Sequence, residues 1–154
     1  MITLDKLKNK ITNKSRLLGL DLGTKRIGIA ICDDRQSIAT PLITVKNEGV
    51  KRLVDELKLI IKENNIEGIV VGNPINMDGS LGPSAQSVKD ICLYISKSIE
   101  IPLCLWDERL STIGAFNLSN DLAINSSKKM KKLDENSAQF ILQGVLDYYH
   151  KKNT

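Results

Sequence analysis

The stretch from Leu17 to Cys32 limits what this chain can fold into more than any other segment. Leu17 to Leu22 and Ile27 to Cys32 are nearly continuous apolar runs, and Gly23-Thr24-Lys25-Arg26 between them supplies turn residues, so the segment predicts a β-hairpin. One residue breaks the first run. Asp21 is a carboxylate set between Leu20 and Leu22, and an ionised carboxylate in apolar surroundings is strongly unfavourable unless a cation or several donors meet it. A metal, a phosphate-bearing ligand or a hydrogen-bonded turn would each compensate it.

Asp33-Asp34-Arg35-Gln36 makes a second turn, and Ser37 to Val45, interrupted by Pro41, reads as a third strand at the sheet edge, where a missing N–H donor is tolerated. From Gly49 to Asn64 the residues Val50, Leu53, Val54, Leu57, Ile60 and Ile61 recur at the period of an amphipathic helix. A short strand follows at Gly68 to Val71, then an irregular loop from Gly72 to Pro83, a helix from Ser84 to Ile99 and a strand from Ile101 to Trp106. Last come a helix from about Ser111 to Ser119, a polar and basic loop to Leu133, and a helix from about Asp134 to Tyr149. Strand–helix–strand units demand parallel pairing through right-handed crossovers, whereas the opening strands are joined by tight antiparallel turns. The expected fold is therefore α/β and ribonuclease H-like, a mixed five-stranded sheet in the order 3-2-1-4-5 flanked by helices. Residues 1–16, rich in Lys and Asn, read as an N-terminal leader, either a short docking helix or a frayed segment, ahead of a single domain at 17–150.

Composition narrows the chemistry. The 154 residues are 42% apolar, enough for one core but cramped for two. A formal charge of +4 permits a polyanionic partner without demanding one. Cys32, Cys92 and Cys104 all fall in apolar runs without C-x-x-C spacing, which reads as buried thiols in a reducing compartment. The sole histidine, His150, sits near the C-terminus, which argues against a Ser-His-Asp or Cys-His arrangement. No apolar run approaches the length of a membrane span, so a soluble, cytoplasmic protein is expected.

In the expected sheet, loops after the parallel strands open on one edge, where ligands bind. Asp21 ends the first strand, Asp107-Glu108 follow the fifth, and Asp134 begins the last helix, so all of these acids are expected at that edge. Carboxylates about 4 Å apart repel by roughly 4 kcal/mol at an effective dielectric near 20, a cost that a divalent cation offsets. With hard oxygen ligands and no nearby His or Cys, the cation would be Mg²⁺ or Mn²⁺, and two such ions suit phosphodiester hydrolysis. Each acid also has a structural alternative. Asp21 can cap the following turn, Asp107 or Glu108 can pair with Arg109, Asp134 can N-cap the last helix, and Asp78 can close an Asx-turn. Around the acids, Thr24, Lys25, Arg26, Arg109, Ser111 and Thr112 suit contacts to a phosphate backbone, and Lys128, Lys129, Lys131 and Lys132 would add salt-dependent attraction. Trp106 reads chiefly as a strand-end core residue, with stacking on a base as the alternative.

Four ordered motifs, LGLDLGTKRIGIAICD, VVGNPINMDGSLGPSAQ, LWDERLST and the D-x-x-x-A-x-x-I-L-Q run from Asp134 to Gln143, resemble those of the YqgF (RuvX) family from Leu17 to about Tyr148. The resemblance implies a fold similar to Holliday junction resolvases of the RuvC type, and a nuclease that matures the 5′ end of 16S ribosomal RNA in the bacterial cytoplasm. It puts the family's first-strand acid on Asp21, its D-E-R motif on Asp107, Glu108 and Arg109, and its last-helix acid on Asp134. The implied site holds Mg²⁺ or Mn²⁺ on Asp21, Glu108 and Asp134, with Asp107 as a fourth catalytic candidate. Implied partners are RNA, as precursor 16S rRNA or the pre-ribosomal particle, or branched DNA, bound by a monomer or homodimer. Two positions depart from the family pattern: its usual G-L-P reads Gly72-Asn73-Pro74, and a usual alanine is Ser137. Neither removes a proposed ligand. A Holliday junction resolvase and a non-catalytic RNA-binding ribosome-assembly factor are the competing readings. A kinase-like phosphate loop at Asp21-Leu22-Gly23-Thr24 is disfavoured because the chain is too short for the two related domains that such enzymes close on a nucleotide.

Overall fold

The computed structural model describes residues 1–74, 78–80, 82–110 and 126–152, with side chains throughout these except at 110, 126–135 and 152. Its centre is a sheet of β1 (Arg16–Leu22), β2 (Arg26–Cys32), β3 (Ala39–Lys46), β4 (Ile66–Asn73) and β5 (Leu103–Asp107). The strand order is β3-β2-β1-β4-β5, the order expected from the sequence. β1 and β2, and β2 and β3, pair antiparallel, while β4 runs parallel to both β1 and β5.

Alternation along the strands builds two cores. Leu18 and Leu20 of β1, Ile27 and Ile29 of β2, and Ile69 and Val71 of β4 face α2 (Val50–Asn64) and α3 (Pro83–Ser98), meeting Leu53, Leu57, Val88 and Ile95. Leu17, Ala30, Cys32, Val70, Cys104 and Trp106 face the opposite way, under the last helix, α4 (Ser126–Lys152), and meet Ala138, Ile141, Leu142, Val145 and Leu146. The central strands are thus apolar on both faces, as parallel pairing between helical layers requires.

α4 lies very close to β1. A Cβ added at Gly19 would sit 2.8 Å from Leu142 Cβ and 3.0 Å from the Ala138 carbonyl oxygen. Gly19→Ala must therefore lift the helix, and about 1–3 kcal/mol of destabilisation is expected from overpacking. A denaturation midpoint equal to wild type would contradict this contact.

β3 is the outer strand on its side, and its edge is blunted. Pro41 removes one donor, and a register shift leaves Leu42 as an extra residue between Ile43, opposite Ile29, and Pro41, opposite Ala30. On the far side, Ile2 forms a parallel bridge to Cys104, its N–H donating to the Leu103 carbonyl at 3.0 Å. α1 (Leu4–Lys10) follows, with Thr3 Oγ1 accepting from Lys6 N–H and Leu7 fully buried. Of the two readings of residues 1–16, the structured helix is the one formed. Two cations of this basic stretch are committed to backbone: Lys8 Nζ donates to the Tyr149 carbonyl at 3.1 Å, and Arg16 donates to the carbonyls of Cys32 and Asn64 at 3.1 Å each.

Several boundaries differ from expectation. β4 runs from Ile66 to Asn73, beyond Gly68–Val71 at both ends, and β5 starts at Leu103 because Pro102 cannot donate to the ladder. The largest difference is α4, which begins at Ser126 instead of Asp134. Residues 126–133 are Ser and Lys apart from Met130 and Leu133, too few apolar positions for hydrophobic periodicity to mark a helix, yet they contain no Gly or Pro to stop one. Asp134 is consequently a mid-helix residue, and its reading as an N-cap is withdrawn. The helix expected at Ser111 to Ser119 lies outside the described residues.

Candidate active site

The parallel strands β1, β4 and β5 end on one edge of the sheet, and register fixes which acids meet there. Leu20 is level with Val71, Gly72 with Trp106 and Asn73 with Asp107. Asp21 continues the series Leu17, Gly19 on the α4 face of β1. Glu108 continues Cys104, Trp106 on the same face of β5 and opens a 3₁₀ turn, Glu108–Leu110. Asp107 has the opposite parity.

One glycine, Gly72 on β4, makes room between these acids, and a second, Gly28 on β2, flanks Asp21 on its other side. A Cβ at Gly72 would lie 2.5 Å from Glu108 Oε1 and 2.5 Å from Ile141 Cδ1, and one at Gly28 would lie 3.7 Å from Asp21 Cβ and 3.4 Å from Ala138 Cβ. Both acids lie beneath α4, close enough that the charge of Asp21 acts on Glu108, and the sequence alone does not single out either glycine. Burial, then the charge of Asp21, then that of Asp107, push the Glu108 carboxyl up to about 7.

Asp107 has a different job. Arg109 Nε donates to its two oxygens at 3.0 and 3.1 Å, Arg109 Nη2 to Oδ2 at 2.7 Å, and the Arg109 backbone N–H to Oδ1 at 3.0 Å. This bidentate clamp holds the Asp107 carboxyl below the usual carboxylate range. The pairing that sequence left open between Asp107 and Glu108 thus falls to Asp107. The guanidinium also approaches the next loop, since a Cβ at Gly79 would lie 3.6 Å from Arg109 Nη1. There Asp78 Oδ1 accepts from Ser80 N at 2.9 Å and Ser80 Oγ at 2.6 Å, the Asx-turn expected of it.

On the other side of Asp21 the β1–β2 turn is tightly fixed. A Cβ at Gly23 would strike the Arg26 carbonyl oxygen, so only glycine fits. Asn47 Nδ2 donates to the carbonyls of Gly23 and Thr24 at 3.1 and 3.2 Å, and Asn47 N–H donates to the Lys25 carbonyl at 2.9 Å. The side chains of Thr24, Lys25 and Arg26 are left exposed at the same edge as the acids.

Asp134 lies in α4 one helical turn before Ala138, the residue over Gly28. Its side chain lies outside the described residues, as do Ser111, Thr112 and the side chains of Lys128, Lys129, Lys131 and Lys132. Among the described residues no group of three His, Cys, Asp or Glu is arranged to hold a metal ion.

Other candidates leave the site. Trp106 is 3% exposed and packs edge-on against Tyr148 at 5.9 Å, so it is a core residue and not a stacking platform. Burial pushes the Cys92 and Cys104 thiols up to about 12, which leaves them protonated and unreactive at neutral pH. His150 lies at the other end of the sheet, its Nε2 2.7 Å from the Gln36 carbonyl oxygen. Among the described residues no helix is long and apolar enough to cross a membrane.

The RuvX family model, described as Holliday junction resolvase, matches residues 15–148. A protein of Pelagibacter ubique (strain HTCC1062), named as a pre-16S rRNA nuclease, is 63% identical over 148 residues, covering 96% of this chain and 98% of its own. A protein of the same name from Rhodobacter capsulatus is 42% identical over 131 residues, 85% of this chain and 82% of that one. Among solved structures, T. thermophilus RuvC in complex with Holliday junction substrate aligns with a TM-score of 0.51 at 10% identity, covering 90% of this chain and 96% of that one. At that identity the likeness is one of fold, and the fold is ribonuclease H-like.

Proposed function

Because this chain belongs to the RuvX family, we propose that it is a metal-dependent nuclease that hydrolyses phosphodiester bonds in the 5′ region of precursor 16S rRNA. The observation that carries this reading is the meeting of Asp21 and Glu108 at the carboxyl ends of β1 and β5, where the missing side chain of Gly72 leaves room for Glu108. Two neighbouring acids, one pushed toward neutrality by burial and by the charge of the other, form an oxygen-only donor set that suits Mg²⁺ or Mn²⁺. Asp21 and Glu108 would hold the ion, with Asp134 as the third ligand from α4. An ion held by these residues would supply Lewis acidity toward a phosphoryl oxygen and lower the pKa of a bound water.

The remaining residues act on the substrate. Asp107 orients Arg109, whose guanidinium carries the positive charge for a phosphate oxygen next to the acids. Thr24, Lys25 and Arg26, fixed by Asn47, offer a hydroxyl and two cations to the neighbouring backbone. Ser111 and Thr112, just past the 3₁₀ turn, complete the proposed contacts. The family description and the RuvC-like fold support a second reading, cleavage of branched DNA by a homodimer presenting two sites. In either reading the protein works in the cytoplasm on nucleic acid, and in the first its partner is the pre-ribosomal particle.

The test is cleavage of a precursor 16S rRNA 5′ fragment and of a four-way DNA junction by purified protein with Mg²⁺ or Mn²⁺. Site-specific cleavage of the rRNA by wild type and none by Asp21→Asn is expected. Cleavage of the junction alone would move the assignment to a resolvase. Wild type no faster than Asp21→Asn on both substrates would leave a non-catalytic RNA-binding factor.

A further inference from the structure

We propose that Lys46, with Arg26 and Lys25, forms a seat for the phosphodiester backbone of the nucleic acid as it leaves the Asp21–Glu108 site toward the β3 edge of the sheet. Arg26 and Lys46 are register partners across β2 and β3. Like charges directly opposite each other destabilise an antiparallel pair, so this arrangement costs stability unless an anion lies across it. No protein anion does so among the described residues: neither cation forms an ion pair, and Glu48, two residues past Lys46, is held by Arg52 at 3.1 Å.

The register also orients the pair. Asp21 is opposite Gly28 and Gly28 is opposite Thr44, while Arg26 and Lys46 lie two residues farther along on the same face. Strand rise and spacing put the Arg26 Cα roughly 8 Å and the Lys46 Cα roughly 12 Å from that of Asp21, so a strand held at the acids reaches the pair within a few nucleotides. All three cations are exposed, and the three hydrogen bonds from Asn47 fix the turn that carries Lys25. At the opposite end of β1, by contrast, Lys8 and Arg16 are engaged by carbonyls. The inference rests on the nuclease reading only for which polymer passes Asp21.

The experiment titrates Asp21→Asn protein, with and without Lys46→Ala, against a labelled RNA oligonucleotide and its DNA equivalent, following anisotropy from about 50 to about 200 mM salt. Lys46→Ala is expected to weaken binding several-fold and to lower the salt slope by about 1, with the melting temperature unchanged or raised because a repulsion is gone. Lys14→Ala, an exposed cation at the other end of β1, is expected to change neither. A slope change on RNA, on DNA or on both supports the seat and identifies its polymer. An unchanged slope in Lys46→Ala, an equal loss in Lys14→Ala, or no binding to either polymer overturns it. Cleavage by wild type reads the nuclease proposal separately: cleavage with an unchanged slope sinks only the seat, and a changed slope without cleavage sinks only the nuclease.

Discussion

Glu108→Gln is expected to slow phosphodiester cleavage by about 10³-fold, equivalent to about 4 kcal/mol of barrier, whereas Asp107→Asn slows it by about tenfold. The two acids are chain neighbours but do different work. Glu108 shares its space with Asp21, and glutamine keeps its size while removing the charge that a divalent cation needs. Asp107 is turned to Arg109, and asparagine leaves one acceptor for the guanidinium while weakening the charged clamp. The Asp107 variant should therefore lose mainly substrate affinity, seen as a raised KM, and keep its Mn²⁺ affinity. Single-turnover cleavage combined with calorimetric Mn²⁺ titration separates the two. Equal losses in both variants, or lost Mn²⁺ binding in Asp107→Asn, would contradict this division of roles.

The second large effect is on stability against pH in metal-free protein. Unfolded, the Glu108 carboxyl titrates near 4.5; folded, burial and Asp21 push it up to about 7. Between those values the native state holds a proton that the unfolded chain has released, so the stabilisation is complete below the lower value and is lost as pH rises through the upper one. At most about 3 kcal/mol of unfolding free energy is expected to disappear between about pH 4.5 and pH 8 on this account. Glu108→Gln should flatten that slope. The clamped Asp107 carboxyl works in the opposite sense but titrates below this window. Mg²⁺ or Mn²⁺ favours the ionised pair and should restore stability more at pH 8 than at pH 5. Urea midpoints that show the same slope for wild type and Glu108→Gln would refute the assignment.

Much of the fold was legible because local chemistry and global layout agree. The Gly23 turn, Pro41 at the edge and the apolar period of residues 50–61 each select one arrangement. Asp21 could be read as exceptional for the same reason. The choice between Asp107 and Glu108 could not be read. Leu103, Cys104, Leu105 and Trp106 are apolar on both faces of β5, so alternation does not say which parity looks toward α4. The space at Gly72 was hidden too, because a gap opened by an absent Cβ has meaning only once the facing helix is in position. The start of α4 was not legible because Met130 and Leu133 alone make no apolar stripe among the Ser and Lys of residues 126–133.

The pairing of Ile2 with Cys104 and of the Tyr149 hydroxyl with the Leu4 carbonyl has a consequence for the order of events during synthesis. The β1–β2–β3 hairpins can close as soon as they emerge, since their partners are adjacent in sequence. The segment Ile2 to Lys10 cannot dock until β5 and the end of α4 exist, and at about 5–20 residues per second that is a wait of roughly 7 to 30 s. For that interval this segment remains undocked on the nascent chain, and the outer edge of β5 remains uncovered by it.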